Sequence, residues 1–260
     1  MSLLDDLLLD LRAEGDGIWN AVAGLDDAAW ATPTPAAGWT IATQIAHLVW
    51  TDEVAVVAAT DPERWDALVT EGAADPDGFV DAGAHEIARL APTALLARWG
   101  AARTALADTL RDYPPGERMP WFGPPMSPTS MATARLMETW AHGLDVYDAL
   151  GITPERTDRI RHVAHLGVRT RGYAYAVRGE QAPAEEPRVQ LTAPSGDTWA
   201  WGPEDAAQSV TGSAYDFCLL VTQRVHRADT DLVAVGDDAE HWLAIAQAFA
   251  GPPGEGRAQR

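Results

Sequence analysis

A change of apolar period limits what this chain can fold into. Leu4, Leu7, Leu8, Leu11, Ile18, Val22 and Leu25 recur at three-, four- and seven-residue intervals, the stripe of an amphipathic helix. Ser2 is placed to cap it, with Asp5 and Asp6 at the positive end of its dipole. The Pro-rich break Thr32-Pro33-Thr34-Pro35 separates it from a second helix, which starts near Thr40 and runs through Ile41, Ile45, Leu48 and Val49 towards Thr60, where Asp61-Pro62 stops it. Residues 61–90, with Gly72, Pro76, Gly78 and Gly83, read as less regular. A third helix is expected from near Pro92 through Leu95, Leu96, Trp99 and Leu106 to Pro114-Pro115-Gly116. The loop from Pro120 to Pro125 is unfit for helix interior. A fourth helix runs from about Pro128 to Leu150, with Gly151 as its C-cap. Four such helices suggest an up-and-down bundle.

A fifth helix is expected from Pro154 to about Arg178, capped by Thr153, and residues 179–187 then read as a linker. Beyond it the period becomes two. Val189 to Thr192 alternates, Ser195-Gly196-Asp197 turns, and Thr198 to Trp201 alternates again, which is a hairpin. A short strand near 208–211 leads through Gly212 into an apolar helix carrying Phe217, Leu219, Leu220 and Val221. Leu232 to Val235 forms one more strand, and a helix over 239–250 closes the domain. The expectation is a mainly α protein: a helical bundle with a fifth helix over 1–180, and a smaller α+β domain over 188–250. The tail from Gly251 to Gly256, Glu255 included, is expected to be disordered, and no repeat is found.

Several chemistries are excluded by composition. The formal net charge is −19, so phosphate backbones and anionic lipids are repelled, and neither nucleic acid nor membrane is an expected partner. Every cationic side chain is an arginine. Schiff-base chemistry and the Walker-type phosphate loop need a lysine amine and are ruled out. The single cysteine, Cys218, can form no internal disulfide, which suits a reducing compartment. The start Met1-Ser2-Leu3-Leu4-Asp5-Asp6 lacks the cationic opening of a signal peptide, and no run approaches the ~18 apolar residues of a membrane helix. A cytoplasmic location is expected.

The sharpest chemical signal is Glu138-Thr139-Trp140-Ala141-His142 on the fourth helix. Residues four apart share a helical face, so carboxylate and imidazole can converge on one point. Arg135 and Asp145 fall on the same side. Such a stripe either faces water, with Leu136, Trp140, Leu144 and Tyr147 covering the opposite face, or turns inward and holds a metal. Turned inward, its polar groups would cost several kcal/mol of desolvation that a divalent cation offsets. His47, mid-helix among apolar neighbours, is either a satisfied core residue or a third ligand. His47, Glu138 and His142 together make the two-histidine, one-carboxylate set of catalytic zinc, with one coordination position open.

A histidine mid-way along helix two, followed about ninety residues later by Glu-x-x-x-His on helix four, resembles the DinB-like metal-binding bundle, and specifically the mycothiol-dependent maleylpyruvate isomerase family. Val210-Thr211-Gly212 and the helix ending in Arg224 are similar to that family's C-terminal domain, which is sterol-carrier-protein-like. The stretch from Pro120 to Leu150 looks closest to an uncharacterised actinobacterial branch. The resemblance implies zinc at His47, Glu138 and His142, mycothiol as co-substrate, and a small electrophile such as maleylpyruvate as substrate. The metal-held thiolate would add to an activated double bond, rotation would follow, and expulsion of the thiol would turn cis into trans. An S-transferase would use the same thiolate. The resemblance also puts Arg224 near the substrate, where it could hold a carboxylate by two hydrogen bonds. Two features depart from the family: Gln223 where glycine is more usual before the arginine, and the Pro-rich loop at 120–125.

Two rival functions share the same residues. One is a metal-stabilised, non-enzymatic module whose C-terminal domain holds an apolar small molecule. The other is a metal-dependent hydrolase, with Asp52 or Asp145 as the only hints of a general base. His162 and His165, three apart, make a second metal conceivable, and Arg156, Arg159, Arg161, Arg169, Arg171 and Arg178 make the fifth helix basic. Trp199 and Trp201 point the same way along one strand, and Cys218 reads as core packing.

Overall fold

The computed structural model describes residues 2–254 and 256–259, and the chain divides into two compact units, Met1–Pro154 and Glu155–Arg260. Glu155 begins the second unit, whereas Glu255, on which part of the tail expectation falls, lies outside the described residues.

The first unit is helical: α1 (Leu3–Val22), α2 (Asp27–Trp30), α3 (Ile41–Thr60), α4 (Pro62–Ala74), α5 (Phe79–Ile87), α6 (Pro92–Asp112) and α7 (Pro128–Leu150). The Ser2 and Gly151 caps are as expected, and the structure adds caps at Thr40 and Ser127. Ser2 and Asp5 form a capping box on α1, Thr40 caps α3, Ser127 and Pro128 open α7, and Gly151 closes it in the left-handed conformation. Four long helices pack in the ring order α1, α7, α3, α6. Ile18, Val22, Ile41, Ile45, Leu48, Leu95, Trp99 and Val146 fill the shared core.

Residues 61–90 are more regular than expected, because they hold α4 and α5. Asp61 ends α3 and also starts α4: its side chain accepts from the Arg64 amide, and Pro62 fills the first turn. Gly72 and Gly83 are not breakers. Gly83 lies inside α5 where a Cβ would collide with the Trp50 indole, so its lack of a side chain lets α5 approach α3.

The second unit holds α8 (Arg161–Arg169), α9 (Arg171–Ala176), β1 (Arg188–Thr192), β2 (Thr198–Trp201), β3 (Ser209–Ser213), α10 (Ala214–Val221), β4 (Val233–Val235) and α11 (Asp237–Ile245). The single fifth helix expected over Pro154 to Arg178 is therefore two short helices preceded by a 3-10 turn at Asp158–Ile160. The break falls at Thr170, whose backbone leaves helical geometry at φ −88°, ψ 8°, while its amide still closes α8 on the Leu166 carbonyl and its own carbonyl accepts from Ala174 to start α9. The closing helix also stops earlier than expected, because Ala246 turns extended and Ala248 donates to the Val221 carbonyl. The sheet order is β2-β1-β3-β4; β1 and β2 form the expected hairpin, with Val189 opposite Trp201 and Leu191 opposite Trp199, and β3 joins β1 in parallel.

Candidate metal centre

Helices α3 and α7 pack together along a ladder of buried polar side chains. From α7, Arg135, Glu138, His142 and Asp145 all turn towards α3 rather than water. Arg135 Nη2 donates to Thr51 Oγ1 at 2.8 Å and its Nε lies 3.3 Å from Asp52 Oδ1. Glu138 Oε2 lies 3.3 Å from His47 Nε2 and 3.2 Å from His142 Nε2. His142 Nδ1 is hydrogen-bonded to Gln44 Oε1.

His47, Glu138 and His142 each offer one ligand atom, and the three atoms lie within 4.8 Å of one another. Among the described residues no other group of three histidine, cysteine or acidic side chains is so arranged. Their side chains are 8%, 20% and 15% exposed, so the cluster is largely dry yet reachable from one side. Two imidazole nitrogens and one carboxylate oxygen suit a divalent cation such as zinc, and three protein ligands leave a coordination position open. Burial by itself would raise the Glu138 carboxyl, but hydrogen bonds from His142 and His47 and the charge of Arg135 hold it well below the usual carboxylate range. A permanently ionised carboxylate is what ligation needs.

Trp39, in the turn before α3, covers the cluster. Its ring stacks on His142 at 5.6 Å and tilts over His47 at 5.4 Å, and the bridge between Pro33 and Thr40 fixes the turn that carries it. Neither Trp39 nor Gln44 was singled out from sequence. The signal for Gln44 was present, since Gln44, His47 and Thr51 repeat at three and four residues and so mirror the stripe on α7.

Other candidates take simpler roles. Asp52 is tied to Arg135 and Asp145 to Gln44, so each carboxylate offered for a hydrolase is engaged by a partner of its own. His165 Nδ1 accepts from Trp201 Nε1 at 3.3 Å, and burial together with Arg169 lowers its pKa. Cys218 is fully buried, its thiol points to the Ile160 carbonyl, and burial pushes its pKa well up, so it is packing and not a nucleophile. Arg224, in the second unit, donates from Nη1 to the Thr222 carbonyl at 2.6 Å. Just before it, Gln223 adopts φ +58°, where its amide and that of Arg224 close α10 by bonds to Leu220 and Leu219. This left-handed cap explains why a glycine suits the position: the backbone keeps the conformation although the side chain differs. A cavity of about 730 Å³ lies apart from the triad, between α1 and α6, with Asp52 and Thr139 among its lining residues.

Comparison with known proteins adds four findings. Residues 11–147 match the model of the mycothiol maleylpyruvate isomerase N-terminal domain. Residues 183–235 match a model described as wyosine base formation. Uncharacterized proteins from two strains of Mycobacterium tuberculosis are 59% identical over 248 residues, covering 95% of this chain and 96% of theirs. Crystal structures of a mycothiol-dependent maleylpyruvate isomerase and of its point mutant share the fold at TM-scores of 0.58 and 0.59. They are 16% identical to this chain, covering 89% of it and 92% of the solved chains.

Proposed function

The chain belongs to the mycothiol maleylpyruvate isomerase family through its N-terminal domain, and from that premise we propose that it is a metal-dependent, mycothiol-using enzyme acting on a small electrophile such as maleylpyruvate, as an isomerase or an S-transferase. The observation that carries this reading is the convergence of His47, Glu138 and His142 on one point. A zinc ion held by these three residues would accept a thiol sulfur at its open position and favour the thiolate at neutral pH.

The chain's own residues supply the rest. Glu138, kept ionised, brings the negative charge that offsets a cation in a largely dry site. The two imidazoles hold the other positions, and Trp39 limits water on one side. Arg224 is assigned the substrate's carboxylate, which its planar guanidinium can grip by two hydrogen bonds. Isomerisation needs no net reagent: a thiol adds across the activated double bond, the new single bond rotates, and elimination returns the thiol.

The test combines elemental analysis with kinetics. Wild type should hold about one equivalent of zinc, as expected for a single three-ligand site, and His47→Ala should lose it. Maleylpyruvate or a model electrophile should turn over only when mycothiol and zinc are both present. Arg224→Ala should raise KM for the carboxylate substrate and leave zinc content unchanged. Turnover that is absent across a panel of electrophiles, or indifferent to thiol, overturns the assignment.

A further inference from the structure

Resting on the reading of the triad as a metal site, we propose that Gln44 is a positioning residue: oriented by Asp145, it sets His142 in the tautomer whose bare Nε2 faces Glu138. Gln44 is fully buried, so both ends of its amide need partners inside the protein. Its Nε2 donates to Thr34 Oγ1 at 2.9 Å and to Asp145 Oδ2 at 3.5 Å. Both the Thr34 hydroxyl oxygen and the Asp145 carboxylate oxygen lie on the Nε2 side as acceptors, so the NH2 end faces Asp145. The carbonyl end then faces His142 Nδ1. An amide oxygen cannot donate, hence Nδ1 carries a proton, and in the neutral ring Nε2 carries the lone pair. The flipped amide would set oxygen against carboxylate on one side and NH2 against Nδ1 on the other.

The result reaches the centre of the site. His142 Nε2 and Glu138 Oε2 lie 3.2 Å apart: in the neutral ring both offer a lone pair to a cation placed between them, and Nε2 donates to Glu138 only when the ring carries a second proton. The two histidines are not equivalent. Gln44 bonds His142, whereas His47 Nδ1 is buried with no hydrogen-bond partner among the described residues. Thr34 and Trp39 come from the same Pro-rich turn, which therefore orients one ligand and covers both rings.

The experiment reads the tautomer directly, by nitrogen-detected imidazole NMR of the metal-free protein in alkaline buffer, and reads zinc affinity by competition with a chromophoric chelator. In wild type His142 should be protonated at Nδ1. Gln44→Met, which keeps the volume and loses the acceptor, should give His142 a mixed tautomer and weaken zinc by about 10- to 100-fold. Gln44→Glu combined with Asp145→Asn keeps an acceptor at Nδ1 without opposing two carboxylates, and should restore both the tautomer and most of the affinity. Asp145→Asn frees the amide to turn and should mix the tautomer while leaving Gln44 in place. The His47 tautomer should stay unchanged in all three. A His142 that keeps its wild-type tautomer and zinc affinity in Gln44→Met overturns the proposal. If wild type takes up no zinc while Gln44→Met still shifts the tautomer, the metal reading fails and the positioning role stands.

Discussion

Two polar clusters bridge the same pair of helices, α3 and α7, and their carboxylates behave in opposite ways. Asp52 faces a permanent cation, Arg135, yet burial outweighs that charge and pushes its pKa up to about 6. Glu138 faces two imidazoles, and although burial opposes ionisation there too, their hydrogen bonds and Arg135 hold its carboxyl low. The difference lies in hydrogen bonds rather than formal charge. Arg135 gives its short bond to Thr51 at 2.8 Å and leaves Asp52 at 3.3 Å, whereas Glu138 Oε2 receives two ring nitrogens. One cluster pairs a buried carboxylate with an arginine, and the other sets a carboxylate between two imidazoles.

Four experiments can break or sharpen this contrast. The largest effect is expected for Arg135→Met, which leaves Asp52 buried without its cation and should cost about 3 to 5 kcal/mol in chemical denaturation. Glu138→Gln in metal-free protein should cost far less; equal losses would make the two clusters the same kind of structure.

Next is pH. The folded pKa of Asp52, about 6, lies above its ordinary value of 3.8, so the folded state binds more protons between them. This group's contribution is therefore greatest below about pH 4 and declines as pH rises towards 6, by about 3 kcal/mol in all. Asp52→Asn should lack that slope and gain on wild type across the window. Parallel pH profiles of the two proteins would contradict the raised pKa.

Third, chelation should lower the stability of zinc-loaded wild type by about 2.7 kcal/mol when free zinc had stood at 100 times its Kd. Glu138→Gln should show almost no such drop, while Asp52→Asn should show the full one. The smallest effect concerns Thr51, whose hydroxyl accepts from Arg135 and donates to the His47 carbonyl. Thr51→Val should cost about 1 kcal/mol in thermal melts, with zinc content unchanged. Loss of zinc in that variant would show that the clusters act as one.

Much of the first unit was legible because local signals there agree with packing. Thr40, Pro92, Pro128 and Gly151 mark helix ends by local terminus chemistry, which depends on neighbours a few residues away. The misreadings came where one residue serves two elements or where packing overrides propensity. Asp61 both ends α3 and caps α4, and Gly83 reads as a breaker until Trp50 is seen against it. At Thr170 the backbone leaves helical geometry and splits a helix in two, a break that apolar periodicity does not mark.

The sequence by itself determined the helical faces: a spacing of four puts Glu138 and His142 side by side on any α-helix, and a cap at Thr40 sets His47 two turns inside the next one. The direction of those faces was a tertiary decision. Whether the stripe met water or protein depended on how α3 aligns with α7, which brings Arg135 to Thr51, Glu138 to His47 and His142 to Gln44 in one register. Register between helices comes from side chains far apart in the chain filling a common core, and no local rule encodes it.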